Sequence, residues 1–90
     1  MRVFITGISG FLGRHLARKL ESEGHKVMGV DINAETIREL RDTNPLIPVL
    51  EGSICDAETL KEIRYLLMRH GITHMVHAAA NKYIEKNEYI

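Results

Sequence analysis

The sequence predicts an α/β fold, a four-stranded parallel sheet with three helices, and three observations carry that prediction. Short runs rich in β-branched residues alternate with amphipathic stretches in the order β-α-β-α-β-α-β, followed by a tail. The first run passes straight into a glycine-spaced loop that opens the first helix. Glycine, Asn-Pro or an acidic cap then marks the element boundaries. Strands that alternate with helices in this way pair in parallel through right-handed crossovers.

Arg2-Val3-Phe4-Ile5-Thr6 is a β-branched and aromatic run closed by Gly7, the pattern of a buried strand. From Phe11 to Glu23 the apolar positions Phe11, Leu12, Leu16, Ala17 and Leu20, with His15 in part, form a helical stripe. Arg14, Arg18, Lys19 and Glu21 take the outer face, and Gly24 marks the stop. Lys26 to Asp31 is a second strand. Ala34 to Thr43 sets Ile37 and Leu40 one turn apart among charges, a short helix ended by Asn44-Pro45. Pro48 to Glu51 is a third, weaker strand. Asp56 reads as the N-cap of a helix over Ala57 to Arg69, with Leu60, Ile63, Leu66 and Leu67 on one face and Gly71 as its stop. His74 to Ala78 makes the fourth strand.

With 90 residues, 44% of them hydrophobic and 27% charged, the chain reads as one domain. Twelve Lys+Arg offset twelve Asp+Glu for a formal net charge of +0, which excludes nucleic-acid or membrane-surface binding driven by bulk electrostatics. Any anion must therefore be held locally. A domain of this size buries roughly 60–65% of its unfolded surface, so a ligand or oligomerisation is expected to help secure the core. Cys55 has no second cysteine to pair with, and no secretory signal is legible. Apolar runs of four or five residues fall far short of the roughly 20 needed to span a membrane, and the expected location is cytoplasmic.

The local anion site is the loop Thr6-Gly7-Ile8-Ser9-Gly10-Phe11-Leu12-Gly13, with spacing Gly-x-x-Gly-x-x-Gly between a strand and a helix. Glycines let the backbone turn tightly and approach a pyrophosphate, while the free N–H groups and positive end of the helix face its charge. Asp31, 18 residues after Gly13, ends the second strand, where a carboxylate accepts both adenosine-ribose hydroxyls and repels a 2′-phosphate. The expected cofactor is NAD rather than NADP. The competing reading is that the glycines serve packing alone and Asp31 caps the next turn.

Together with Val30-Asp31, Glu51-Gly52-Ser53-Ile54 and Val76-His77-Ala78-Ala79-Ala80, this loop resembles the N-terminal part of the extended short-chain dehydrogenase/reductase family. Within that family it is most similar to the UDP-glucose 4-epimerase type of nucleotide-sugar epimerases and dehydratases. The resemblance implies a Rossmann-like half-domain with strand order 3-2-1-4. It implies that the backbone of Gly7, Ser9, Gly10, Phe11, Leu12 and Gly13 cradles the pyrophosphate and that Asp31 holds the ribose. Ala78, Ala79 and Ala80 with Lys82 would line the path toward the nicotinamide ribose. The family usually carries Asp-Ile or Asp-Leu at the adenine; here Ser53-Ile54 stands there, a hydroxyl in place of a carboxylate and so a weaker acceptor.

The family's chemistry also uses a Tyr-x-x-x-Lys pair. Here Tyr65 is followed by Arg69 and Tyr83 by Asn87, and an arginine is no substitute for the compact lysine charge. His70, His74 and His77 are spaced so that they do not converge on a metal, Cys55 lacks an activating base, and Arg2, Arg14 and Arg18 are weak anion-steering candidates.

Strand order 3-2-1-4 puts the first two helices on one face of the sheet and the third on the other, and leaves the fourth strand, Met75 to Ala79, at an edge with unpaired backbone groups. A homo-oligomer or a partner chain docked through that edge is expected, with the tail Asn81 to Ile90 either covering the edge as a helix or fraying. Two functions follow. One is an NAD-binding (or ADP-ribose-binding) portion of an epimerase/dehydratase-like protein, truncated before its catalytic residues. The other is a non-catalytic interaction or regulatory module that docks a partner through the sheet edge.

Overall fold

Arg2–Thr6 form β1, and the alternation of their side chains divides the core into two layers. The computed structural model describes residues 1–78. After β1 come α1 (Phe11–Ser22), β2 (Lys26–Asp31), α2 (Ala34–Thr43), β3 (Val49–Glu51), α3 (Ala57–Arg69) and β4 (His74–His77). The sheet order is β3-β2-β1-β4, and every pairing is parallel. The tail from Asn81 to Ile90 lies outside the described residues.

On one face of the sheet Val3, Ile5 and Val27 pack with Ile8, Ala17 of α1, Leu40 of α2 and Ile47. On the other, Phe4, Met28 and Val30 pack with Ile63 of α3, flanked by Leu66 and Leu67. That division is what two right-handed crossovers on one side and one on the other require. Register follows from it: Val3 lies opposite Val27 and Phe4 opposite Met28, so a slip of one residue would exchange the two layers.

The element ends have local causes. Gly24 (φ +88°) and Gly71 (φ +61°) take the left-handed conformation just after α1 and α3, as read from the sequence. Asp56 caps α3 by accepting from the N–H and the hydroxyl of Thr59, at 3.3 and 3.0 Å. Asn33 does the same for α2, accepting from Glu35 and Thr36 N–H at 3.0 and 3.1 Å. The third strand starts at Val49, one residue later than expected, because Pro48 has no N–H to give. Its carbonyl still accepts from Gly29 N–H at 3.1 Å. The fourth strand ends at His77, yet Ala78 N–H continues the ladder to the Thr6 carbonyl at 2.9 Å. Among the described residues no helix is long and apolar enough to cross a membrane.

Candidate functional site

The glycine turn sits on the carboxyl end of β1, and its three glycines do three different things. Gly7 has φ +69°, and its N–H and that of Ile8 both donate to the Val30 carbonyl, at 2.8 and 3.3 Å, which reverses the chain against β2. At Gly13 a Cβ would overlap the Gly7 carbonyl oxygen and lie 2.9 Å from the Gly7 carbonyl carbon, so this position lets α1 rest on the turn. At Gly10 a Cβ would meet only the Gly7 carbonyl oxygen, at 3.4 Å. The side of Gly10 is open.

Gly10 is also the N-cap of α1, and it supplies no side-chain cap, unlike Asn33 and Asp56 on the other two helices. The first turn of α1 carries no acidic residue either. Its N–H groups and the positive end of its dipole therefore face outward, which is the arrangement that holds an anion. Phe11 and Leu12 at that turn are 74% and 55% exposed. The Phe11 ring stands edge-on to His15 with centroids 4.7 Å apart.

Asp31 closes the turn from the end of β2. Its Oδ2 accepts from Ser9 N–H at 3.0 Å, while Oδ1 accepts from Ile32 and Asn33 N–H at 2.8 and 3.3 Å. The carboxylate thus touches both the glycine turn and the next loop, joining the two features that the sequence set 22 positions apart. Ser9 itself is buried, with Oγ 2.8 Å from Thr36 Oγ1, so its side chain ties the turn to α2 and only its N–H is directed at Asp31.

Ser53 and Ile54 follow β3, whose Glu51 pairs with Asp31. Ser53 Oγ accepts from Cys55 N–H at 3.1 Å, and the Ile54 side chain packs against the Phe4–Met28 layer. Ala78 packs on the Val3–Ile5 layer at the end of β4. The structure therefore gathers Gly7 to Gly13, Asp31, Ser53, Ile54 and Ala78 at one end of the sheet; Ala79, Ala80 and Lys82 lie outside the described residues.

Several contacts at this end were not read from the sequence. Gly29, opposite Ile5 in β2, makes room for Ile8: a Cβ there would lie 2.7 Å from Ile8 side-chain carbons. A glycine inside a β-branched run is the signal for such a close approach. Gly52 similarly lets Thr59 reach 2.5 Å from where its Cβ would be. Ile32 is 69% exposed beside Asp31, an apolar surface next to the carboxylate. Buried Thr6 places its hydroxyl 2.9 Å from His77 Nδ1.

The remaining candidates go elsewhere. Arg18 donates to Asn44 Oδ1 and Thr43 Oγ1, at 3.1 and 2.9 Å, and so fastens α1 to the end of α2. Arg14 lies 3.9 Å from Glu39. Tyr65 is 60% exposed on α3 and Cys55 is exposed in its loop. Among the described residues no group of three His, Cys, Asp or Glu is placed to hold a metal. Two cavities, of about 620 and 580 Å³, lie away from the glycine turn, one at the amino ends of β1 and β2 and one between β2, β3 and α3. The turn lies at the carboxyl ends of the strands, the usual ligand position in an open α/β sheet.

Strand order β3-β2-β1-β4, a glycine turn onto an uncapped helix and a carboxylate closing the second strand define a Rossmann-type domain. The comparison with known sequences narrows that class, since the sequence model of the NAD dependent epimerase/dehydratase family matches residues 3–89. The chain belongs to that family. An uncharacterised Saccharomyces cerevisiae protein is 39% identical over 62 residues, which is 69% of this chain and 21% of that protein. The Thermus thermophilus UDP-glucose 4-epimerase, solved in complex with NAD, superposes with a TM-score of 0.72 at 29% identity, over 88% of this chain and 24% of that one. The Bordetella bronchiseptica enzyme WbmG, in complex with NAD and UDP, gives 0.72 at 34% identity, over 88% and 25%. The chain spans about a fifth to a quarter of the length of these relatives.

Proposed function

We propose that these residues hold the adenosine and pyrophosphate of NAD for an epimerase/dehydratase-like protein. The observation that carries this reading is the pairing of an open Gly10 at an uncapped helix start with Asp31 at 3.0 Å from Ser9 N–H. The residues fit the group: the N–H groups of the first turn of α1 receive the pyrophosphate, Asp31 the ribose hydroxyls, and Ser53 with the Ile54 backbone the adenine. Ala78 begins the path toward the nicotinamide ribose, to which the family resemblance also assigns Ala79, Ala80 and Lys82, outside the described residues. Bound NAD supplies a hydride acceptor for the carbon of a sugar hydroxyl. The chain's own residues bind and orient, and we assign them no turnover, since Tyr65 and Tyr83 are followed four positions on by Arg69 and Asn87 rather than by lysine. Titration calorimetry should give saturable binding of NAD and of ADP-ribose with similar affinity. No saturation with either up to millimolar ligand would remove the proposal.

A second reading rests on β4. It pairs with β1 on one side only among the described residues, and Met75 on it is 48% exposed. An edge strand with free N–H and C=O groups is a template for another strand. We propose that it pairs with a second copy or with another polypeptide. Light scattering at tens of micromolar is expected to give a dimer or larger, and a clean monomer would exclude self-association.

A further inference from the structure

We propose that the cavity at the amino ends of β1 and β2 is a second anion site, at the end of the sheet opposite the glycine turn, for a phosphate carried on an apolar or aromatic body. Arg2 and Lys26 are direct register partners on adjacent strands, with their side chains on the face that carries Phe4 and Met28. Like charges set opposite each other on one face of a sheet repel. Arg69 and His70 from the end of α3 and His25, just before β2, line the same cavity, which holds about 620 Å³.

Among the described residues none of Arg2, Lys26 and Arg69 is in an ion pair; the pairs there are Arg14 with Glu39, Lys19 with Glu23 and Lys61 with Glu58. Glu21 is the carboxylate in the cavity wall, and its Oε1 accepts from Asn44 Nδ2 at 2.8 Å. In a chain of net charge +0, the three cations beside one carboxylate are a local surplus of positive charge.

Arg2 is also held in position. Its Nη1 donates to the His70 carbonyl at 3.1 Å and its backbone N–H to Thr73 Oγ1 at 3.1 Å. Gly71 leaves room for it, since a Cβ there would stand 3.1 Å from Nη1. One edge of the guanidinium fork is thus anchored and the other is free for a phosphate oxygen. Met28, Pro48 and Ile72 supply the apolar wall. A cavity of this volume with an apolar floor and converging cations suits a nucleotide-sized anion rather than a bare ion.

The test is an amide chemical-shift titration of the full chain with guanosine 5′-diphosphate and, separately, with inorganic tripolyphosphate, at physiological salt. Saturable shifts at Lys26 and at Arg69 to Ile72 are expected, separate from any at Gly7 to Gly13, with the nucleotide binding more tightly. Arg2→Ala with Arg69→Ala should weaken this site about tenfold while leaving the Gly7 to Gly13 shifts unchanged. Lys26→Gln, which changes only an exposed side chain, gives the same direction if the double variant does not fold. Tighter binding of tripolyphosphate would overturn the apolar body. Shifts confined to the glycine turn, or variants that lose stability with no saturable shift to lose, would mean the cations merely offset the carboxyl ends of α1 and α3, and would overturn the site.

Discussion

Gly13→Ala is expected to come close to unfolding the domain, while Gly10→Ala, three residues earlier, is expected to leave it folded and weaken its ligand. The first expectation runs against helix propensity. Alanine in place of glycine inside a helix is worth about 1 kcal/mol in favour of the variant. Against that, the new methyl group at position 13 would overlap the backbone of Gly7 and lie 2.9 Å from the Ile8 Cα, and backbone yields poorly. Relieving the overlap means lifting α1 off the turn, at a cost of about 3 kcal/mol or more, so the clash wins. A domain of this length has about 5 to 13 kcal/mol in total, and each kcal/mol lost lowers its melting point by about 4–8 °C.

Gly10 has φ −72°, which any residue adopts, and its Cβ would meet Gly7 O at an ordinary 3.4 Å. Gly10→Ala is therefore expected to cost no more than about 1 kcal/mol, the scale of an N-cap change. Its methyl group would stand where a pyrophosphate approaches, and NAD affinity should fall at least about tenfold, or about 1.4 kcal/mol. Circular dichroism melts and calorimetry on both variants check the pair. A Gly13→Ala melting point within a few degrees of the parent, or a Gly10→Ala variant that binds NAD unchanged, would contradict this division of labour.

How much of this was legible in the sequence depends on the distance over which each feature acts. The strands and helices show in their periods, and Gly24, Gly71 and Asp56 punctuate them locally, so boundaries fall within a residue of the reading. The two-layer core follows from the alternation of Val3, Phe4 and Ile5 plus the handedness of crossovers. Spacing also placed the glycine turn and Asp31 at one end of the sheet. It gave no sign that Ser9 turns its hydroxyl to Thr36, that Gly29 clears space for Ile8, or that Thr6 meets His77, because those contacts join residues 27, 21 and 71 positions apart. They depend on how the helices settle on the sheet. A glycine in the middle of β2 and a threonine at the end of β1 were the available hints.

Asp31→Asn is expected to change which dinucleotide the chain prefers, and the reason lies in how fully this carboxylate is already used. A carboxylate offers about four acceptor positions. Three take the N–H groups of Ser9, Ile32 and Asn33, so the two ribose hydroxyls of a bound nucleotide must share oxygens with these donors or displace one. Ser9 N–H is the donor whose release opens the turn. Asparagine keeps one acceptor oxygen and sets an NH2 group in place of the other; directed at Ser9 N–H, that is donor against donor, and the loss of a hydrogen bond to a charged group costs about 1.5–3 kcal/mol. Melting should therefore occur roughly 6 °C or more lower. For the ligand, NAD loses a charged acceptor for its ribose, while the 2′-phosphate of NADP loses a repelling charge and gains a donor. The NAD-to-NADP affinity ratio is expected to fall at least about tenfold, read by competitive titration below the lowered melting point. If the melting point falls and the ratio does not move, Asp31 serves only to fasten the turn to β2, and ribose recognition lies with other residues.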